Sequence, residues 1–467
     1  MIDRPRLLIR GGTVVTADTR FSTDLPTTDI LIDGETIQAI GIDLPLPEGQ
    51  NVEVVDAGGL LILPGLIDAH THIQLDTGIY STADTWLEGS QAAAFGGITT
   101  VVDFATQLPG KSFPQALEGR MAEAAPSIID YAFHMMVTDL PPGQEEELGV
   151  LPELGIQSIK LYTTYRPNYY LDDAAVLRIF ETAARYGLLS LVHCENDALV
   201  TAQTESLVKS GRLEWRYHGA SRPHLAEIEA ASRVLMLAQA ADAPVVIAHA
   251  STERTVALTT HARTTRQTAF VETTPQYLLL DNTVYEGNEP WRYILQPPLR
   301  HPAEKEALWT RVADGQVDMI VTDHCDYKKA QKLAVNNFTK TPGGLPGTET
   351  LLSLMATYGV AEGWIDWPDL VRMMASNPAR IYNLWPRKGT IAPGSDADLV
   401  LFDPAGEDIV TAESLHMVAG YSPFEGMRVK GRVVSTLRRG AFIVRDGVLA
   451  AEAGTGAYVA RKPRFWD

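Results

Sequence analysis

Between residues 60 and 388 the chain repeats one pattern eight times, a short apolar run followed by a longer stretch with helical spacing. The runs are LILPGLIDAHTH (61–72), ITTVVDFA (98–105), IDYAFHMMV (129–137), SIKLYTT (158–164), LSLVHCE (189–195), PVVIAHAS (244–251), TAFVETTP (268–275) and VDMIVTDH (317–324). Between them lie segments such as LEGSQAAAFGG, AVLRIFETAARYG and AEIEAASRVLMLAQAA, whose apolar residues recur at helical spacing. Strands that alternate with helices pair in parallel and are buried on both faces, which is why they read as unbroken apolar runs. Eight of them predict an α/β fold of the TIM (β/α)8 barrel type, although a doubly wound open sheet gives a similar count.

The two chain ends follow a different rule. Residues 1–59 contain short alternating segments broken by turns (LLIRGG, TVVTAD, DILIDGETIQAIG, VEVVDAGG), and β-type signals return in DADLVLFD and GRVVSTLRRGAFIVRDG. The predicted organisation is a β-sandwich domain built from residues 1–59 and 389–467, the latter including a polar tail, with the barrel of residues 60–388 inserted between them. A chain of 467 residues is long enough for such a division.

The balance of 39 basic against 58 acidic residues, a net charge of −19, would repel nucleic acid and anionic membranes, so a small molecule is the expected partner. Only Cys194 and Cys325 occur, each within an apolar run, which argues against a disulfide framework and for a reducing compartment. The amino-terminal MIDRPRLLIRGG lacks the apolar core of a signal peptide, and no stretch is long and apolar enough to span a bilayer. A cytoplasmic location is expected.

Reactive side chains fall at the carboxyl ends of five of the runs: His70 and His72, Lys160, His193, His249 and Asp323. In a barrel those ends surround one pocket, so residues distant in sequence converge there. His70 and His72, two apart on an extended segment, present both imidazoles on one face. On spacing alone such a pair does not separate metal ligation from ordinary polar residues, and His193 or His249 taken singly could be a core histidine. Jointly, four histidines and an aspartate at equivalent positions point to a divalent ion, and neutral imidazole with carboxylate suits zinc. His324, one residue past Asp323, should face the opposite way. Lys160 either extends its ammonium to solvent or reacts with CO2 to give a carbamate that bridges two ions.

Longer blocks surround these residues: PGLIDAHTH (64–72), AAAFGGITTVVDFA (92–105), IKLYTTY (159–165), VHCEN (192–196), HGASRP (218–223), AHAS (248–251), ETTPQYLLLD (272–281), PPLR (297–300), TDHCDY (322–327), FTKTPGGLPGTE (338–349) and GTIAPGSDADLVLFD (389–403). In this order, over nearly the whole chain, they resemble the dihydropyrimidinase/hydantoinase branch of the cyclic amidohydrolases. The resemblance implies a β-sandwich plus TIM barrel and two zinc-like ions. It places His70, His72 and Asp323 on one ion, His193 and His249 on the other, and a carbamylated Lys160 between them. It makes Tyr165 the residue that stabilises the developing oxyanion and Asp323 the carrier of the proton from nucleophile to ring nitrogen. The implied reaction opens a hydantoin or dihydropyrimidine ring to an N-carbamoyl amino acid, and the implied assembly is a homo-oligomer, a tetramer or dimer.

Two positions depart from the family pattern: Gln296 stands where serine is usual, and Gly343 where asparagine is usual. The resemblance implies that both positions contact the substrate's imide chiefly through backbone atoms, so the departures bear on ring specificity more than on hydrolysis, and they keep an allantoinase or another cyclic imide hydrolase open as alternatives. The non-catalytic scaffold relatives have lost metal ligands, whereas every ligand position here is filled. Ile79, Tyr80, Tyr162, Tyr169 and Tyr170 could shape a pocket for a ring substituent or pack the loops.

Overall fold

All eight apolar runs contribute strands to one parallel sheet, in chain order: Leu66–Thr71, Ile98–Gln107, Asp130–Val137, Ser158–Tyr162, Leu189–His193, Val245–Ile247, Ala269–Thr273 and Met319–Ile320. These assignments come from a computed structural model that describes residues 6–17, 27–46, 51–138 and 140–465. The sheet closes on itself. His324 forms a parallel bridge with Thr71, and the His72 amide donates to the His324 carbonyl at 2.7 Å. Contact between the first and last strands rules out the open doubly wound sheet and makes this a (β/α)8 barrel.

Local chemistry explains where the surrounding helices begin and which face they bury. Trp86–Phe95 starts with a capping box of Thr85 and Glu88, Phe113–Ala124 with one of Ser112 and Gln115, and Asp173–Arg185 with Asp172 accepting from the Ala175 amide. In Asp173–Arg185 the buried Val176, Ile179, Phe180 and Ala183 follow i, i+3, i+4, i+7 spacing, a single stripe that packs on the barrel. Inside the barrel, Ile67, Val102, Ala132, Leu191, Val246 and Val321 fill the centre, so it is a packed core and not a pore.

A second, mixed sheet of nine strands draws on both chain ends. Arg6–Val14 pairs with Thr28–Asp33, Val52–Asp56 and Leu61–Pro64, and Leu61–Pro64 in turn pairs with Leu399–Ile409 from the far end of the chain. Its two halves enclose a core that includes Leu7, Ile9, Ile30 and Ile32 on one side and Ile62, Leu399, Leu401 and Leu437 on the other. The first apolar run is therefore divided. Leu61–Pro64 belongs to this sheet, Leu66–Thr71 to the barrel, and Gly65 turns the chain between them where a Cβ would lie 2.2 Å from Thr99 Oγ1. Near the carboxyl terminus the chain returns to the barrel, with Tyr131 N–H donating to the Ala457 carbonyl and Val459 N–H to the Tyr131 carbonyl.

Cys194 and Cys325 are buried and free. No helix among the described residues is long and apolar enough to cross a membrane.

Candidate metal and active site

Because the eight strands run in one direction, their carboxyl ends share one rim, and a cavity of about 250 Å³ opens there. His70, His72, Lys160, Tyr165, His193, His249, Gln296, Asp323 and Gly343 all line it. Residues as far apart in sequence as His70 and Gly343 thus face one space. Three of them hold left-handed backbone conformations rare for residues with a side chain: Tyr165 at φ 74°, His249 at φ 33° and Asp323 at φ 50°. Strain of this kind persists where the surroundings enforce it, and it clusters at functional sites.

The donor atoms fall into two groups. In the first, Nε2 of His70 and Nε2 of His72 lie 3.4 Å and 3.3 Å from Oδ1 of Asp323. In the second, Nδ1 of His193 and Nε2 of His249 face each other at 2.9 Å. Lys160 Nζ sits 3.4 Å from His70 Nε2. Four donors placed tetrahedrally about 2.0–2.1 Å from an ion are themselves about 3.3 Å apart, the spacing the first group presents. Burial lowers the pKa of His70, His193 and His249, with a further contribution from neighbouring cationic groups at His70 and His249. Each shift favours the neutral imidazole, the form that carries a lone pair for a metal ion. The first group, two imidazole nitrogens and a carboxylate, fits a divalent metal ion, and the second adds two imidazole nitrogens beside it.

Neighbouring groups fix these rings, and sequence reasoning did not single them out. His70 Nδ1 bonds Glu272, which lies at the end of the seventh strand. Burial pushes the Glu272 pKa up to about 8, and in its carboxylate form Glu272 accepts a hydrogen bond from Nδ1, which leaves the Nε2 lone pair pointing into the cavity. His193 Nε2 bonds Glu195 at 2.8 Å, and Glu195 accepts from Arg222 Nε at 3.0 Å. Burial alone would raise the Glu195 pKa, but the Arg222 guanidinium holds it well below the usual carboxylate range. Phe104 stacks on His72 with ring centroids 4.6 Å apart. The one available sequence signal was the two-residue spacing of Glu195 from His193; Glu272 and Arg222 become partners only in three dimensions.

Lys160 is fully buried, so the solvent-exposed alternative does not hold. Burial lowers its pKa from 10.5 to about 8. Tyr165 stands beside His193, ring centroids 5.0 Å apart, and burial raises its phenol well above the ordinary value. It remains a hydrogen-bond donor across the physiological range. Tyr80, Tyr162 and Tyr169 line the cavity, whereas Ile79 is 76% exposed and Tyr170 lies under the Arg166 guanidinium at 3.5 Å. His324 points away from the cavity. Its Nε2 lies 3.4 Å from Asp84 and 3.5 Å from Asp326, which keep its pKa up at about 10 against the opposing effect of burial.

Comparison with known proteins places this arrangement. The sequence matches the amidohydrolase family over residues 61–443. It is 38% identical to the D-phenylhydantoinase of Escherichia coli O1:K1 over 465 residues, 98% of each chain. The dihydropyrimidinase of Brevibacillus agri superposes with a TM-score of 0.94 at 38% identity, over 98% of this chain and 99% of its own. The L-hydantoinase of Arthrobacter aurescens gives 0.89 at 28% identity, over 97% and 99%. Similarity extends through the terminal sheet as well as the barrel.

Proposed function

The chain belongs to the amidohydrolase family, and from that membership we propose that it is a metal-dependent cyclic amidohydrolase that opens hydantoin or dihydropyrimidine rings to N-carbamoyl amino acids. The observation that carries this reading is the convergence of four imidazoles, Asp323 and Lys160 on one cavity with donor atoms 2.9–3.4 Å apart. His70, His72 and Asp323 would hold one ion and His193 and His249 the other. A carbamate formed by addition of CO2 to the neutral Lys160 amine, with loss of a proton, would lie between them. When bound, a pair of zinc ions supplies Lewis acidity and a hydroxide nucleophile near neutral pH.

The chain's own groups do the rest. Tyr165 donates its hydroxyl proton in a hydrogen bond to the ring carbonyl oxygen, an interaction that strengthens as negative charge develops there. Asp323 accepts the proton released by the attacking water on a carboxylate oxygen and returns it to the departing ring nitrogen, which leaves as a neutral amide. Glu272 and Glu195 keep His70 and His193 in fixed orientations through their outer nitrogens. Gln296 and Gly343 border the space where the ring sits. D- and L-hydantoinases both appear among the similar proteins, so the fold is common to both stereochemical preferences.

Metal analysis combined with hydrolysis rates for 5-substituted hydantoins, dihydrouracil, allantoin and succinimide tests this reading. Divalent metal in the active protein and turnover of hydantoins or dihydrouracil are expected. Full turnover by rigorously metal-free protein would overturn the mechanism, and strong preference for allantoin or succinimide would reassign the substrate.

A further inference from the structure

A side chain at Gly343 would compete for space with Gln296. The φ of Gly343 lies outside the left-handed region that Gly344 occupies, so its backbone would accept a side chain. The position where its Cβ would stand is taken by Gln296: the added atom would lie 2.0 Å from Oε1 and 2.3 Å from Nε2. The two departures from the family pattern are thus one feature, a carboxamide seated in the volume of an omitted side chain.

That carboxamide lines the cavity beside the metal-ligand candidates and is half-buried. Among the described residues it has no hydrogen-bond partner, although it offers two donors and an acceptor. The backbone around it is pinned. Lys332 Nζ and the Gly344 amide both donate to the Ile294 carbonyl, at 2.7 Å and 3.0 Å, and Tyr277 donates to the Pro297 carbonyl at 2.7 Å. A fixed loop presenting one free carboxamide is preorganised to read a ligand.

We propose that Gln296 is a specificity-determining residue whose carboxamide reads the urea edge of the substrate ring, accepting from a ring N–H and donating to the adjacent C=O. This rests on the cyclic-amide reading above. A plain cyclic imide has its only N–H in the bond that breaks, whereas a cyclic ureide carries a second N–H beside the carbonyl. Dihydrouracil and glutarimide differ at that point alone, N–H against CH2. A polar group built to pair with the N–H and left unpaired by the CH2 analogue discriminates between them.

The test is the ratio of kcat/KM for dihydrouracil over glutarimide in the metal-loaded parent, Gln296→Met, Gly343→Ala and the double variant. Methionine keeps the length of glutamine without its hydrogen bonds. Alanine at 343 pushes the carboxamide out of its seat from outside residue 296. Both single variants should lower the ratio by about tenfold or more, and the double variant should fall no further, because both changes remove one contact. A ratio unchanged in Gln296→Met would make the side chain a space-filler and overturn the inference alone. A parent inert toward both rings would overturn this inference, and one inert toward 5-substituted hydantoins as well would overturn the cyclic-amide reading with it.

Discussion

Lys160 Nζ lies 3.4 Å from Nε2 of His70, with both side chains fully buried. The outer nitrogen of the imidazole is already bonded to Glu272, so its inner lone pair and the lysine amine are directed at the same small space. An ammonium there has lost its hydration, which is why the lysine pKa falls to about 8. Neutral amine, the form that reacts with CO2, is therefore populated near neutrality.

Lys160→Ala should lose most bound metal and activity, from about two divalent ions per chain in the parent. A short carboxylic acid such as propionate should restore part of both by occupying the place a Lys160 carbamate would take. Metal content and turnover with and without the acid are the measurements; an unsupplemented variant with parental rate would remove Lys160 from the site.

Asp323→Asn retains an oxygen for the ion but cannot accept a proton from water. Metal content should fall modestly while kcat drops by at least about a hundredfold. Near-parental kcat with full metal occupancy would assign the proton transfer elsewhere.

Neutral rings should be hydrolysed far better than dihydroorotate, whose ring carries a carboxylate. Among the described residues lining the cavity there is no arginine. Arg166, adjacent to Tyr165, is committed to Asp197 at 2.9 Å and to the face of Tyr170. Gln74, just after His72 and Ile73, is uncharged, and its Oε1 accepts from the Trp86 amide at 3.0 Å. A desolvated carboxylate without a partner costs several kcal/mol, so kcat/KM for dihydroorotate should lie more than about a hundredfold below that for dihydrouracil. A preference for dihydroorotate would contradict this.

Lys388→Met should destabilise the fold by about 3–5 kcal/mol, because it removes the cation paired with buried Asp398 and leaves Asp130 and Asp396 with arginines alone. Lys388 Nζ lies 2.8 Å from Asp130, 3.0 Å from Asp396 and 2.7 Å from Asp398, at the seam between the barrel and the terminal sheet. Burial would raise the Asp130 pKa, but Lys388, Arg438 and Arg439 hold it below its ordinary value. A depressed carboxylate stabilises the fold above its unfolded pKa, and that stability is lost as pH falls. In the variant, stranded carboxyls gain by protonation instead. The deficit measured by denaturant unfolding should therefore be largest near pH 7 and shrink toward pH 4. A deficit independent of pH would point to lost packing alone.

The barrel and its metal-ligand candidates were legible in the chain because both depend on local periodicity. Unbroken apolar runs mark strands buried on two faces, and the residue ending each run is placed on the rim whatever the helices between do. His70, His72, Lys160, His193, His249 and Asp323 could be selected on that ground alone. The division of 61–72 at Gly65 was hidden, because Leu61–Pro64 and Leu66–Thr71 are equally apolar and their separation depends on the pairing of Leu61–Pro64 with Leu399–Ile409. Glu272 under His70, and Arg222 bonded to the Glu195 that holds His193, are contacts across 202 and 27 residues, fixed by which strands and helices become neighbours. Gln296 and Gly343 were visible as two separate departures in the sequence. That one side chain fills the volume the other lacks was decided by tertiary packing, since steric exclusion acts between atoms close in space and leaves no periodic trace along the chain.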